Sequence, residues 1–210
     1  MSRIVLPDAE ATTRLGQVIA PLLEAGDSVL LYGPLGMGKS TLARGLIRAL
    51  TTPEEDVPSP TFTLVQFYES DPPVAHFDLY RLNQPEEAWE IGLDEALDDG
   101  CAIIEWPERL GEDPSGFLRA DRLVIVIAEE GQGRVATVSG AGRWERLIDH
   151  VHPCPRGTTS RVSGRPRPER RRPRAPARRR LDPALRAADP ALRRDPDADG
   201  PASSRREPAL

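Results

Sequence analysis

One stretch limits the folds open to this chain more than any other. Gly33-Pro34-Leu35-Gly36-Met37-Gly38-Lys39-Ser40 is a complete G-x-x-x-x-G-K-[ST] pattern. An apolar run, Ser28-Val29-Leu30-Leu31-Tyr32, precedes it, and a segment with Leu42, Leu46, Ile47 and Leu50 at helical spacing follows. The order strand, loop, helix is the one a phosphate cradle requires. Glycines let successive backbone N–H groups curl around an oxyanion with no Cβ in the way, and the helix N-terminus adds its positive dipole end. In such a loop Lys39 reaches the β- and γ-phosphates, the Ser40 hydroxyl ligates Mg²⁺, and Thr41 adds a second hydroxyl. Lys39 is the only lysine in the protein, so no N-K-x-D guanine-reading motif exists, and ATP is the expected nucleotide.

The rest of residues 1–150 alternates apolar runs with amphipathic stretches, which predicts an α/β fold: a P-loop NTPase-like sheet flanked by helices. Arg3–Leu6 reads as a first strand. Asp8 offers an N-cap for a helix carrying Leu15, Val18, Ile19, Leu22 and Leu23, closed by Gly26. Phe62–Tyr68 and Val74–Asp78 read as a hairpin across Ser70-Asp71-Pro72-Pro73. Short helices are expected over 85–99, a buried strand at Cys101–Ile104, a late hairpin around Gly131-Gln132-Gly133, and a closing helix at Gly142–Ile148.

Charge divides the chain at the same boundary. Residues 1–150 hold 12 basic and 26 acidic side chains, whereas residues 151–210 hold 16 arginines and 7 acids. All ten aromatic residues precede position 151, and 11 of the 22 prolines follow it. The second segment is therefore expected to be a low-complexity basic tail that cannot offset its ordering entropy, with a basic arm for RNA or an acidic partner, or a frameshift product, as further readings. No apolar stretch approaches the ~20 residues of a membrane span, and no basic-then-apolar leader opens the chain. Cys101 and Cys154 are too few for a disulfide scaffold or zinc site, so the expectation is a reduced, cytoplasmic protein.

Mg²⁺ at a phosphate loop needs a carboxylate at the end of a neighbouring strand. Asp78 ends one apolar run and Glu105 another, and on spacing alone either can serve the metal while the other orients an attacking water. Asp is the commoner ligand, which favours Asp78 for the metal and Glu105 for the water. Thr61, in Pro58-Ser59-Pro60-Thr61-Phe62-Thr63, lies where switch-like segments occur. His76 reads as a strand residue rather than a base.

Taken together, GPLGMGKST, SPTFTLVQFY, HFDLYRL, IGLDEAL and IIEWPERL, in this order and at these distances, closely resemble the bacterial TsaE (formerly YjeE) family. The resemblance covers about residues 8–148 and stops before the basic tail. It implies an ATPase that binds and slowly hydrolyses ATP with Mg²⁺, acting with TsaD and TsaB to build threonylcarbamoyl adenosine beside the anticodon of tRNA, which it meets only through that complex. By motif, Gly33, Gly36, Gly38, Lys39, Ser40 and Thr41 cradle phosphate and metal, with Pro34 and Met37 as tolerated loop variants. Thr61 falls in the switch-like segment, Asp78 matches the Mg²⁺-associated acid, and Glu105 and Trp106 match a functional Glu-Trp pair that places Trp106 near the nucleotide. Two other readings compete. A small-molecule kinase would want a lid of clustered arginines that the body lacks, and an interaction module would bind nucleotide with incidental hydrolysis.

Overall fold

The computed structural model describes residues 1–151. Readings of the basic tail lie outside the described residues. Seven strands form one mixed sheet: β1 (Ser2–Leu6), β2 (Ser28–Tyr32), β3 (Val65–Tyr68), β4 (Val74–Asp78), β5 (Cys101–Glu105), β6 (Arg122–Glu130) and β7 (Gly133–Ala141), in the order β1-β7-β6-β2-β5-β4-β3. The centre, β6-β2-β5-β4, is parallel, while the outer strands β1, β7 and β3 pair antiparallel. Parallel strands are covered on both faces, which is why β2 and β5 read as continuous apolar runs rather than alternating ones.

Side chains alternate across that sheet and divide the core in two. One face packs Val29, Leu31, Ile103 and Ile125 under α1 (Ala9–Ile19) and α2 (Lys39–Leu50), through Leu15, Ile19, Leu42, Leu46 and Ile47. The other packs Leu30, Phe77, Ala102 and Ile104 under α3 (Glu87–Glu90) and α4 (Leu93–Asp99), through Ala88, Leu93 and Leu97. Each fully buried leucine or isoleucine contributes about 1.5–3 kcal/mol by leaving water. The helices α1 and α2 touch backbone to backbone at two glycines. A Cβ on Gly16 would lie 2.3 Å from the Leu42 carbonyl oxygen, and one on Gly45 would lie 2.3 Å from that of Thr13.

Three boundaries differ from the sequence expectation by more than one residue. The Asp8 carboxylate accepts from the Ala11 N–H and caps α1 as expected, yet α1 stops at Ile19 and a 3₁₀ turn, Ala20–Leu22, follows. Pro21 has no N–H to continue the helical ladder. The strand expected from Phe62 starts at Val65, because Leu64 takes a left-handed backbone (φ 64°) and donates its N–H back to the Pro60 carbonyl at 2.7 Å. The closing helix is only α5 (Trp144–Leu147), followed by a 3₁₀ turn to His150. It is pinned to the sheet by the buried Asp27, which accepts from the Trp144 indole at 3.1 Å, from the Glu24 N–H at 2.8 Å and from Arg143. Burial pushes the Asp27 carboxyl above its ordinary value, and those donors oppose the push. Among the described residues no helix is long and apolar enough to cross a membrane.

Candidate functional site

Parallel strands present their carboxyl ends together, and here three of those ends carry chemistry. β2 runs into the glycine loop, β4 ends at Asp78, and β5 ends at Glu105, with Asp78 and Glu105 as direct cross-strand partners. Period-two alternation puts His76, Asp78 and Glu105 on the face covered by α2, since Val74, Cys101 and Ile103 all point there. The N-terminus of α2 therefore lies over two carboxylates.

Gly36 (φ 80°) and Gly38 (φ 102°) hold the left-handed turns that curl the loop, and no side chain caps the first-turn N–H groups of α2. The Lys39 ammonium is folded back, donating to the carbonyls of Gly33 at 2.6 Å and Pro34 at 3.0 Å. It also lies 3.6 Å from the centre of the Trp106 ring. Burial pulls Lys39 below its ordinary value, against the upward pull of Glu105, Glu108 and Asp78. Ser40 donates its hydroxyl to Glu105 Oε2 at 2.9 Å. The opposite oxygen, Oε1, lies 2.9 Å from His76 Nε2, with both side chains buried.

Asp78 faces the segment expected to act as a switch. Its Oδ2 accepts from Thr61 at 2.9 Å and from Ser59 at 3.3 Å, and its Oδ1 from the Tyr80 N–H at 3.1 Å. Trp106 turns left-handed (φ 60°, ψ 48°) between Glu105 and Pro107, and its ring meets Tyr80 at 4.9 Å. These groups surround a cleft of about 310 Å³ that brings Gly36, Gly38, Lys39, Ser40, Thr41, Thr61, Asp78, Glu105 and Trp106 together. Two expected loop residues stand apart from it. Gly33 meets the site through its carbonyl, and the Met37 side chain packs against the α1–α2 core. A larger cavity, about 630 Å³ beside Tyr68, Val74 and Gly100, lies at the opposite ends of β4 and β5.

Besides Leu35 of the loop, sequence reasoning missed three members of the cleft. Ser59 shares Asp78 with Thr61, Tyr80 backs Trp106, and Arg44 reaches the cleft wall while donating to the Val57 carbonyl at 3.1 Å. Ser59 was within reach, two residues before Thr61 in a hydroxyl-rich loop. The others depend on register and helix phase.

The donor set suits Mg²⁺. Ser40, Glu105 and Asp78 offer hard oxygens, and among the described residues no group of three or more His, Cys, Asp or Glu side chains forms a closed metal cage. Mg²⁺ takes one or two protein oxygens and completes its shell with water and phosphate, as an open site of this kind allows.

A glycine loop between a central parallel strand and a helix, with acids at the ends of adjacent strands, places the chain in the class of P-loop α/β domains. A family model described as threonylcarbamoyl adenosine biosynthesis protein TsaE matches residues 6–136. The chain belongs to the TsaE family. A Rickettsia felis protein named tRNA threonylcarbamoyladenosine biosynthesis protein TsaE is 41% identical over 106 residues, covering 50% of this chain and 62% of that protein. A Streptomyces coelicolor protein of the same name is 42% identical over 139 residues, covering 62% of this chain and 91% of that one. The crystal structure of Bacillus subtilis YdiB superposes with a TM-score of 0.58 at 27% identity, over 71% of this chain and 93% of that one.

Proposed function

We propose that the chain binds ATP with Mg²⁺ in this cleft and hydrolyses it slowly, as the nucleotide-driven component of tRNA threonylcarbamoyladenosine modification. It acts with TsaD and TsaB homologues in the cytoplasm and meets tRNA only through them. The observation that carries the reading is the Ser40–Glu105 hydrogen bond beneath the loop, with Lys39 beside it. Family membership supplies the process; the relatives' names speak for those proteins alone.

The uncapped N–H groups of the loop and of α2 receive the β- and γ-phosphate oxygens. Lys39 exchanges its two carbonyl acceptors for phosphate oxygens, and the charge it brings has been kept from water by Trp106. Ser40 and Asp78 hold Mg²⁺, which when bound neutralises developing charge on the phosphates. Glu105 accepts a hydrogen bond from the attacking water and aligns it for in-line displacement. Thr61 follows the γ-phosphate while its bond to Asp78 ties the switch segment to β4. A second reading exchanges the two acids, favoured by the contact of Ser40 with Glu105 rather than Asp78.

The test compares Lys39→Ala and Glu105→Ala by calorimetry with a non-hydrolysable ATP analogue and by phosphate release, with and without TsaB and TsaD homologues. Lys39→Ala loses binding and turnover. Glu105→Ala keeps binding and loses about 10²-fold or more in turnover, the scale of a general base. Equal loss of binding in both variants would contradict the assigned roles. Phosphate appearing on a metabolite instead of in solution would turn the reading toward a kinase.

A further inference from the structure

We infer that His76 is the positioning residue for Glu105, fixing which carboxylate oxygen faces the reacting groups; this rests on the hydrolysis reading above. His76 is the third residue of β4, which stands at one end of the parallel strands and pairs with β5 on one side and β3 on the other, and its side chain is fully buried. Burying a polar ring is costly unless it is hydrogen-bonded, so its contact with Glu105 matters. One nitrogen, Nε2, lies 2.9 Å from Glu105 Oε1, and the other, Nδ1, has no hydrogen-bond partner. An ionised carboxylate can only accept, so Nε2 carries a hydrogen, and in the neutral imidazole Nδ1 then carries the lone pair. This tautomer leaves a buried acceptor unpaired rather than a donor.

The consequence lies in how Glu105 is held. Its two oxygens have different partners, the Ser40 hydroxyl on Oε2 and the His76 N–H on Oε1. The Ser40 contact faces the cleft and is exchanged when a metal or water competes for that oxygen. The His76 contact is buried on the sheet face under α2, and His76 does not line the cleft. It therefore keeps the carboxylate plane fixed while Oε2 changes partner, whichever of the two roles Glu105 takes. Such support for a charged group comes from a neighbouring side chain whose own position is locked by packing. His76 is buried and does not line the cleft, so its effect reaches the reaction through Glu105.

The experiment uses the full chain with two variants. His76→Phe fills the space without a donor, and His76→Gln returns an N–H close to the Nε2 position. Phosphate release at saturating Mg²⁺ is expected to fall about 10–100-fold in His76→Phe, the scale seen on removing a hydrogen bond that orients a functional ligand. The KM for ATP and the affinity for a non-hydrolysable analogue should stay within about threefold. His76→Gln should recover most of the lost kcat. Independently of nucleotide, long-range ¹H–¹⁵N NMR of the wild-type imidazole should show the hydrogen on Nε2, with its resonance displaced in Glu105→Ala. A His76→Phe chain with wild-type kcat, a His76→Gln chain no better than His76→Phe, or a hydrogen found on Nδ1 would each overturn the assignment. Should His76→Phe fail to fold, His76→Gln with near wild-type kcat and the NMR tautomer decide the matter. A wild-type chain that releases no phosphate, alone or with its partners, sinks the hydrolysis reading instead, and the two failures are distinct.

Discussion

Gly45→Ala should destabilise a helix that an alanine ordinarily favours. Inside an exposed helix the exchange stabilises by about 1 kcal/mol, because alanine gives up less conformational freedom on folding. At position 45 the added Cβ would lie 2.3 Å from the Thr13 carbonyl oxygen and 2.9 Å from the Thr13 Cα. An ordinary contact begins near 3.4 Å, so α1 and α2 must part by about 1 Å. Both opposing atoms are backbone, so neither can rotate away, and the upper end of the overpacking range, about 3 kcal/mol, applies. The net loss is about 2 kcal/mol, or roughly 4–8 °C in melting temperature for a domain of this size. The same shift would carry Ser40, at the head of α2, away from its 2.9 Å contact with Glu105 and weaken binding of an ATP analogue. Gly116→Ala is the internal control, because a Cβ there meets nothing within 4 Å. Differential scanning calorimetry of the three chains decides the matter. A Gly45→Ala protein that melts at or above the wild-type temperature refutes the close approach of the two helices.

Thr61→Val removes the shorter of two hydroxyl bonds to Asp78 and should cost about 1 kcal/mol in urea unfolding. Ser59→Ala, which gives up the 3.3 Å contact, should cost less; the reverse order would contradict the geometry. Burial pushes the Cys101 thiol up to about 12 from an ordinary 9.0, so at pH 8 the folded chain offers about a thousandfold less thiolate. In a Cys154→Ser background, Ellman's reagent should therefore react with Cys101 only after unfolding. Tyr68 is likewise pushed up to about 12 by burial. Both folded groups hold their protons more tightly than the unfolded chain does. Their contribution to stability is complete below pH 9 and falls as pH rises toward 12, and urea midpoints compared at pH 8 and pH 11 should show that loss.

The strand–loop–helix core was legible because its signals are local. A buried run, three glycines and an apolar helical stripe occupy 23 consecutive positions, Ser28 to Leu50. The acids at 78 and 105 were also legible, since each closes an apolar run. Their shared face was not, because it depends on two strands 22 residues apart entering the sheet in one register, Asp78 opposite Glu105. The same register turns His76 from an ordinary strand residue into a neighbour of Glu105. Order within the sheet was equally hidden: β2 lies between β5 and β6, a long-range choice that no local pattern records. The late start of β3 had a local cause, but nothing in the identity of Leu64 announces a left-handed backbone.

Trp106 holds a conformation that glycine adopts freely and other residues enter at about 1–3 kcal/mol. Trp106→Gly would relax the main chain but strip Lys39 and Tyr80 of their aromatic neighbour. At this one position an unstrained main chain and an aromatic wall beside the lysine exclude each other.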